Sequence, residues 1–442
     1  MNNFLKVFTL LIFVGLLVFG LFIFDKDEVE VDLEPKNKEL FGIVIKTDNE
    51  LLTIQDKNNI IYVFKKNNNL LAGDNIKVEY KGDLDKNKEV QENEIISYEK
   101  VDDEYLETMF NEYEDEAKEK LKEMSLDEKI AQIFLVRYPD DGISVLEKYQ
   151  FGGYVFYAKD FENKSYDEVK KMLNDLQSVS KIPILTAVDE EGGKVVRISS
   201  NPNLVNEPFK SSRELYLEGG FEAIKEDTIN KSKLLFDLGI NLNLAPVIDV
   251  SVNSNDYMYS RALGEDSSVT SQYAKEVIKA SKGLGVSYTL KHFPGYGNNA
   301  DTHNGKAIDN RSYEDILKND LPPFEVGIDE GAEAILVSHN IVNSIDSNNP
   351  ASLSTSIHNL LRNKLKFDGI IITDDLAMGA TKDIDGATLK AILSGNDLII
   401  TTDYEKSINS VKEAIANKVI DESLIDRLAF RIIAWKYYKG LL

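Results

Sequence analysis

The chain has 442 residues, enough for two or three domains, and its 43% hydrophobic and 29% charged residues are those of an ordinary globular protein. A net charge of -24 repels phosphate backbones, so no nucleic-acid partner is expected. The absence of cysteine excludes disulfides, thiolate metal sites, cysteine nucleophiles and the lipid-bearing cysteine of a lipoprotein.

The first 24 residues contain an uncharged run from Val7 to Phe24, long enough to span the hydrocarbon core of a bilayer. The run ends Leu21-Phe22-Ile23-Phe24-Asp25, without the small-x-small site of a cleaved signal peptide. Residues 1–24 are therefore expected to be an uncleaved, single-pass membrane anchor, with secretion after cleavage as the alternative. Lys6 precedes the span and mostly acidic residues follow it, which places the body of the chain outside. Residues 25–39 read as a charged, solvated linker.

Between residues 40 and 101 lie five short β-rich runs, FGIVIKT, LLTIQD, NIIYVFKK, NIKVEYKG and EIISYEKV, separated by Asn, Asp and Gly turns. They predict a small antiparallel β-barrel, OB-like, serving as spacer or docking module. Tyr62, Phe64 and Tyr80 are expected in its core. Residues 102–124 read as a linking acidic amphipathic helix, with Leu106, Met109, Phe110, Tyr113, Ala117 and Leu121 at helical spacing. Ser125-Leu126-Asp127-Glu128 has the form of a capping box and opens the next domain.

From residue 125 to 442 apolar runs alternate with helical stretches. Eight runs stand out, beginning at Ile130, Gly152, Ile182, Ile240, Val286, Ala334, Gly369 and Asp397. They are too uniformly apolar for a sheet with one wet face and suit parallel strands covered on both sides. Eight such units predict an α/β fold of the (β/α)8 TIM-like type, whose active site lies at the carboxyl ends of the strands. Polar residues gather at those ends: Asp189-Glu190-Glu191-Gly192-Gly193 with Arg197, Asp249 with Arg261, Lys291-His292, His339, Asp374-Asp375 and Asp403. Packing alone does not explain apolar runs that repeatedly terminate in charge.

Three of the four histidines, His292, His303 and His339, fall in this set. The fourth, His358, lies in the helical pattern STSIHNLLRNKL and is expected on the surface or as a cap. A metal hydrolase would use such histidines, but the early strands carry no His-x-His pair and His303 sits on a long loop. No metal is expected. Acetal chemistry fits better, with a carboxylate nucleophile and a separate proton donor. Asp374 follows three isoleucines and a threonine at a strand end, a rigid setting for a nucleophile. In KHFPGYGNNADTH, residues 291–303, Asp301 stands two positions before His303, where a carboxylate can orient an imidazole and raise its basicity. Gly295, Gly297 and the two asparagines give that loop freedom to close and reopen.

The same stretch resembles the KHFPGHG...DSH signature of glycoside hydrolase family 3, in its β-N-acetylglucosaminidase branch. MSLDEKIAQIF, VDEEGGKVVR, NLAPVIDV, RALGED, PASLS and FDGIIITDDLAMGA also resemble blocks of that family, in the family's order. The resemblance implies that Asp374 is the nucleophile of a retaining mechanism, His303 the acid/base and Asp301 its dyad partner. It implies that Asp189, Arg197, Arg261, Lys291 and His292 hold the terminal sugar, and that no metal or organic cofactor takes part. Together with the N-terminal anchor, this gives the expectation of an exo-acting enzyme at the bacterial cell membrane, facing outward, that removes non-reducing GlcNAc from peptidoglycan fragments; a monomer is expected.

Tyr296 and Lys194 depart from the family blocks and bear on pocket shape. The chain stops at Leu442, where the last barrel helix should end, so no C-terminal domain is expected. The alternatives are a GlcNAc phosphorylase, a β-glucosidase or β-xylosidase on the same barrel, and a membrane-anchored sugar-binding protein.

Overall fold

The protein is described from a computed structural model, in which residues 37–47, 50–56, 60–65, 70–101, 108–297 and 307–442 are placed. The expected anchor over residues 1–24, nearly all of the linker, and the loop pair Asp301 and His303 lie outside the described residues. Among the described residues no helix is long and apolar enough to cross a membrane.

Five strands form the small sheet: β1 (Lys38–Thr47), β2 (Leu51–Asp56), β3 (Ile61–Lys65), β4 (Asn75–Tyr80) and β5 (Ile95–Lys100). They run antiparallel in the order β3-β2-β1-β4-β5. Alternation sends Leu40, Leu52, Ile54, Phe64, Ile76, Val78 and Tyr80 into one core, with Tyr62 half-buried against it. The expected closed barrel is not formed among the described residues. β3 and β5 remain the two edges, and beyond its ladder with β2 the strand β3 makes one isolated bridge, from Phe64 to Gln91. In β5 only Ile95 and Tyr98 pack against the core, half-buried, and the other side chains are largely exposed.

The sheet is tied to the larger domain. Asn363 brackets the Ile61 backbone, accepting from its N–H at 2.8 Å and donating to its carbonyl at 3.1 Å. Arg427 Nη1 donates to Gln55 Oε1 at 3.0 Å, and Ala72 bridges to Ile420.

The larger domain is a parallel eight-stranded barrel. Its strands are β6 (Phe134–Arg137), β7 (Gly153–Phe156), β8 (Leu185–Val188), β9 (Leu242–Asn243), β10 (Ser287–Phe293), β12 (Ala334–Val337), β14 (Ile370–Thr373) and β15 (Ile399–Thr401). The short β11 (Ile308–Asp309) and β13 (Ile341–Val342) pair with each other at the rim. Neighbours in the order β14-β12-β10-β9-β8-β7-β6-β15 are all parallel, and a bridge from Ile372 to Leu398 closes the ring. Helices such as Tyr166–Val179, Ser212–Leu238, Ser267–Ser281 and Tyr404–Ala416 return the chain between or after strands.

Period-two alternation divides the apolar residues into two layers. Leu135, Val155, Leu185, Leu336, Ile372 and Ile400 fill the barrel interior, while Phe134, Val136, Tyr154, Phe156, Ile335 and Ile371 face the helices. Each such side chain contributes roughly 1.5–3 kcal/mol when fully buried. The interior cluster continues into Phe110, Ala117, Leu121 and the helix Glu422–Tyr438, which plug the amino-terminal end, with the Phe110 and Trp435 rings stacked at 6.4 Å.

Three local expectations are corrected. The run from Ile130 begins as helix, because the Ser125 box, with both reciprocal bonds present, carries helix from Leu126 to Gln132 before β6 starts. In the linking segment the described helix covers Glu114–Lys122. Phe110 precedes it, in a turn where its N–H donates to Thr108 Oγ1 at 3.0 Å. His358 is fully buried: it faces Gly395 across a helix contact, and its Nδ1 lies 2.8 Å from the Ser354 carbonyl. A surface imidazole was expected because STSIHNLLRNKL has polar residues on either side. The close approach that Gly395 permits supplies its cover.

Candidate active site

The barrel opens at the carboxyl ends of its strands into a cavity of about 560 Å³. Asp189, Glu191, Arg197, Arg261, Lys291, His292 and Asp374 all line it, together with Arg137, Tyr157, Tyr257, Tyr296, Asp375, Met378 and Thr402. The nucleophile and all five sugar-holding residues expected from the sequence are thereby brought to one cavity; Asp301 and His303 lie outside the described residues.

The floor on one side is an ion-pair network. Lys291, at the end of β10, is 2% exposed, and its ammonium lies 2.7 Å from Asp189 Oδ1 and 2.8 Å from Glu191 Oε1. A buried ammonium requires such partners. Glu191 in turn accepts two bonds from Arg261, Nε to Oε2 at 3.0 Å and Nη2 to Oε1 at 2.6 Å. Burial opposes ionisation of Glu191, but Lys291 and Arg261 more than offset it and hold its pKa well below the carboxylate range. Asp189, on the cavity side of this network, is also 3.6 Å from Arg197 Nη2. Its carboxylate is left partly open to the cavity, where it can accept from hydroxyl groups.

Two elements set this up. After Glu191 the chain reverses at Gly192 and Gly193, both at positive φ, and a Cβ on Gly192 would collide with the Lys210 carbonyl. Glu190 points the other way, fully buried, and its carboxylate accepts from the N–H groups of Arg197 and Ile198 at 2.7 Å each. Those bonds fix the segment that carries Arg197.

His292 sits where the β10–β12 register slips between Lys291 and Phe293. Its Nδ1 lies 2.8 Å from Asp249 Oδ2, and Nε2 is 3.4 Å from Arg261 Nη2. A ring whose Nδ1–H donates to Asp249 leaves Nε2 as the acceptor facing the guanidinium. Asp249 Oδ1 accepts the Tyr296 N–H at 2.7 Å, so one buried carboxylate orients both His292 and the loop start.

Across the cavity, β14 ends at Thr373 and delivers two aspartates. Asp375 is fully engaged: Oδ1 accepts the Ala377 N–H at 2.9 Å and Oδ2 accepts Thr402 Oγ1 at 2.8 Å. Asp374 accepts one bond on Oδ1, from the Asp375 N–H at 2.9 Å, and Oδ2 has no hydrogen-bond partner among the described residues. Burial disfavours its charge, yet His339, His292, the Asp375 N–H and Lys291 together hold its pKa below the ordinary value. His339 is fully buried beneath the pair, Nδ1 at 2.7 Å from Ser352 Oγ and Nε2 at 2.9 Å from the Asp375 carbonyl. The result is one ionised carboxylate with an oxygen open to the cavity, facing the ion-paired set Asp189, Glu191, Arg261 and Lys291.

The sequence placed Glu191 in the strand-end run DEEGG but gave it no role, and it did not single out Tyr157, whose ring stacks under the Arg137 guanidinium at 3.9 Å. The Gly-Gly reversal after the acidic run was the available signal for Glu191. Tyr157 had none beyond its place after β7. Tyr296, noted for departing from the family block, packs edge-on to His292 at 5.5 Å. Asp403 falls outside the cavity lining, at the start of the helix Tyr404–Ala416. Among the described residues no group of three or more His, Cys, Asp or Glu has metal-holding geometry.

Residues 125–434 match the Glycosyl hydrolase family 3 N terminal domain. The chain belongs to glycoside hydrolase family 3. As a member it is a glycoside hydrolase, and the family's catalytic barrel is the domain described above. It is 28% identical over 325 residues to the protein named beta-hexosaminidase LpqI of Mycobacterium tuberculosis, covering 70% of this chain and 82% of the relative. The solved structure of M. tuberculosis LpqI superposes with a TM-score of 0.64 at 28% identity, over 70% of this chain and 93% of that one. The family 3 β-N-acetylglucosaminidase of Paenibacillus sp. str. FPU-7 superposes with a TM-score of 0.67 at 26% identity, over 72% of this chain. Of that longer Paenibacillus chain, this family 3 protein spans 63%.

Proposed function

We propose that the protein is a retaining exo-β-N-acetylglucosaminidase acting on GlcNAc-terminated cell-wall fragments, held at the outer face of a bacterial membrane by residues 1–24. The observation that carries the reading is the contrast inside one cavity: Asp374 is held in its ionised form with one oxygen lacking a hydrogen-bond partner among the described residues, while Asp189, Glu191, Arg261 and Lys291 are locked in ion pairs with one another. The names of the mycobacterial and Paenibacillus relatives support the hexosamine, and the apolar run from Val7 to Phe24 supports the anchor.

In this reading Asp189, Lys291, Arg261, Arg197 and His292 hold the terminal sugar, with Asp189 accepting from its hydroxyls and the cations donating. Asp374 Oδ2 attacks the anomeric carbon. The bond to the leaving oxygen breaks, and that oxygen takes its electron pair and a proton from His303, whose basicity Asp301 supports. A water then gives its proton back to His303 and its oxygen to the anomeric carbon, releasing Asp374 and the sugar with retained configuration.

The test is release of nitrophenol from the aryl β-N-acetylglucosaminide, with the aryl β-glucoside as control, in buffers with and without phosphate. Rapid release from the first alone, as free GlcNAc, is the expected result. Sugar 1-phosphate in the phosphate buffer would replace hydrolysis by phosphorolysis. Preference for the glucoside would overturn the hexosamine assignment.

A further inference from the structure

Away from the active site, a second and larger recess of about 820 Å³ runs between the small sheet and the barrel. One wall is the sheet, with Lys46, Thr53 and the turn around Lys86. The other is the barrel segment that includes Asn359 and Lys364, with Tyr313 at the edge. Its floor carries the apolar side chains of Ile61 and Leu360.

The recess is locally basic in a chain whose net charge is -24. Lys46, Lys86 and Lys364 are exposed, and none forms an ion pair with a carboxylate among the described residues. The fourth lining lysine, Lys88, is held by Glu92 at 2.7 Å, and Glu89 is the one carboxylate on the lining. Just beyond, Lys366 lies beside Lys86. Partial burial together with that neighbouring ammonium lowers its pKa, so like charges are gathered here.

The lining chemistry narrows the ligand. An apolar floor, neutral amide and hydroxyl groups on both walls and an exposed tyrosine ring match the alternating CH faces and hydroxyls of sugar rings. All four cations on the lining are lysines and none is arginine, which suits charges spread along a polymer and not one bidentate group. The seam exists because the sheet is docked onto the barrel, an arrangement that gives the small domain a role. We propose that this seam is a binding groove for an acidic polysaccharide chain, holding the enzyme on a polyanionic wall polymer while the barrel cavity works separately.

The experiment is fluorescence anisotropy of labelled polygalacturonate oligomers with the full chain in a neutral detergent, against labelled dextran of the same length. A K46Q/K86Q/K364Q variant is compared, its fold checked by unchanged melting. The expected result is binding of polygalacturonate, weakened by added salt, at least tenfold weaker in the variant, and absent for dextran. Equal affinity in variant and wild type, equal binding of dextran, or no binding of polygalacturonate by the folded wild type would each overturn the proposal. The measurement makes no use of turnover, so its outcome is independent of the hydrolase reading.

Discussion

Arg261 grips Glu191 through two parallel bonds, at 2.6 and 3.0 Å, and that pair in turn steadies the Lys291 ammonium 2.8 Å away. Glu191 thus organises two of the cations assigned to the sugar without needing to touch the sugar itself. Replacing it leaves Lys291 and Arg261 close together and short of one counter-charge. Glu191→Gln is expected to raise KM by roughly 10–100-fold, the scale of losing one or two charge-assisted hydrogen bonds, with a smaller loss in kcat. It should also destabilise the fold by about 3–5 kcal/mol, the usual cost of breaking a buried pair. Steady-state kinetics and denaturant titration check both.

Asp374 and Asp375 are adjacent carboxylates with different tasks. Asp374→Asn is expected to lower kcat by at least roughly 10³-fold while leaving melting nearly unchanged, since the asparagine Oδ1 can still accept the one backbone bond the carboxylate makes. Asp375→Asn is expected to act mainly on stability and on the position of the β14 loop, because its bonds run to Ala377 and Thr402. Equal loss of turnover in both with equal melting would remove the distinction.

How far the sequence could be read shows most clearly at these positions. Strand-end charge is a one-dimensional signal, and it located Asp189, Lys291, His292 and Asp374 because a parallel barrel turns every strand end toward one mouth, whereas Arg261, on the loop after β9, was marked out by the family resemblance. It could not separate Glu190 from Glu191, since which of two adjacent carboxylates turns inward is decided by the Gly192–Gly193 reversal in three dimensions. His358 was misread for a related reason: its burial depends on Gly395, 37 positions along the chain. The small sheet's strands were legible, but the open order β3-β2-β1-β4-β5 seen among the described residues was not, because closure depends on what β3 and β5 meet across space.

A second carboxylate cluster gives a pH signature. Arg311 bridges Asp309 and Asp320, both almost fully buried, with bonds of 2.7 Å to each. Burial raises the Asp320 pKa to about 7 against the opposing pull of Arg311, with Asp249 and Asp309 adding to the rise. A carboxyl whose folded pKa is raised binds its proton more tightly folded than unfolded. Its stabilising contribution is present below the unfolded value and is lost as pH rises toward about 7. The melting temperature of the wild type relative to Asp320→Asn is therefore expected to fall between pH 4 and 7 and to level off above. A difference independent of pH would refute the assignment.

Behind β14, Asp397 binds Arg362 at 2.6 Å and Arg431 at 2.9 Å, all three fully buried. Asp397→Asn leaves those guanidiniums without their shared counter-ion and is expected to cost about 3–5 kcal/mol. Thermal melting checks it, and a change under about 1 kcal/mol would show that the guanidiniums find other partners.

The central claim is that Asp374 forms a covalent bond to the sugar. The direct measurement is trapping with a 5-fluoro glycosyl fluoride of GlcNAc, whose fluoride departs without protonation and whose ring fluorine slows release. Peptic digestion and mass spectrometry then locate the label. The expected result is one labelled peptide, with the sugar on Asp374. A label on another residue, or inactivation without any adduct, would contradict the account.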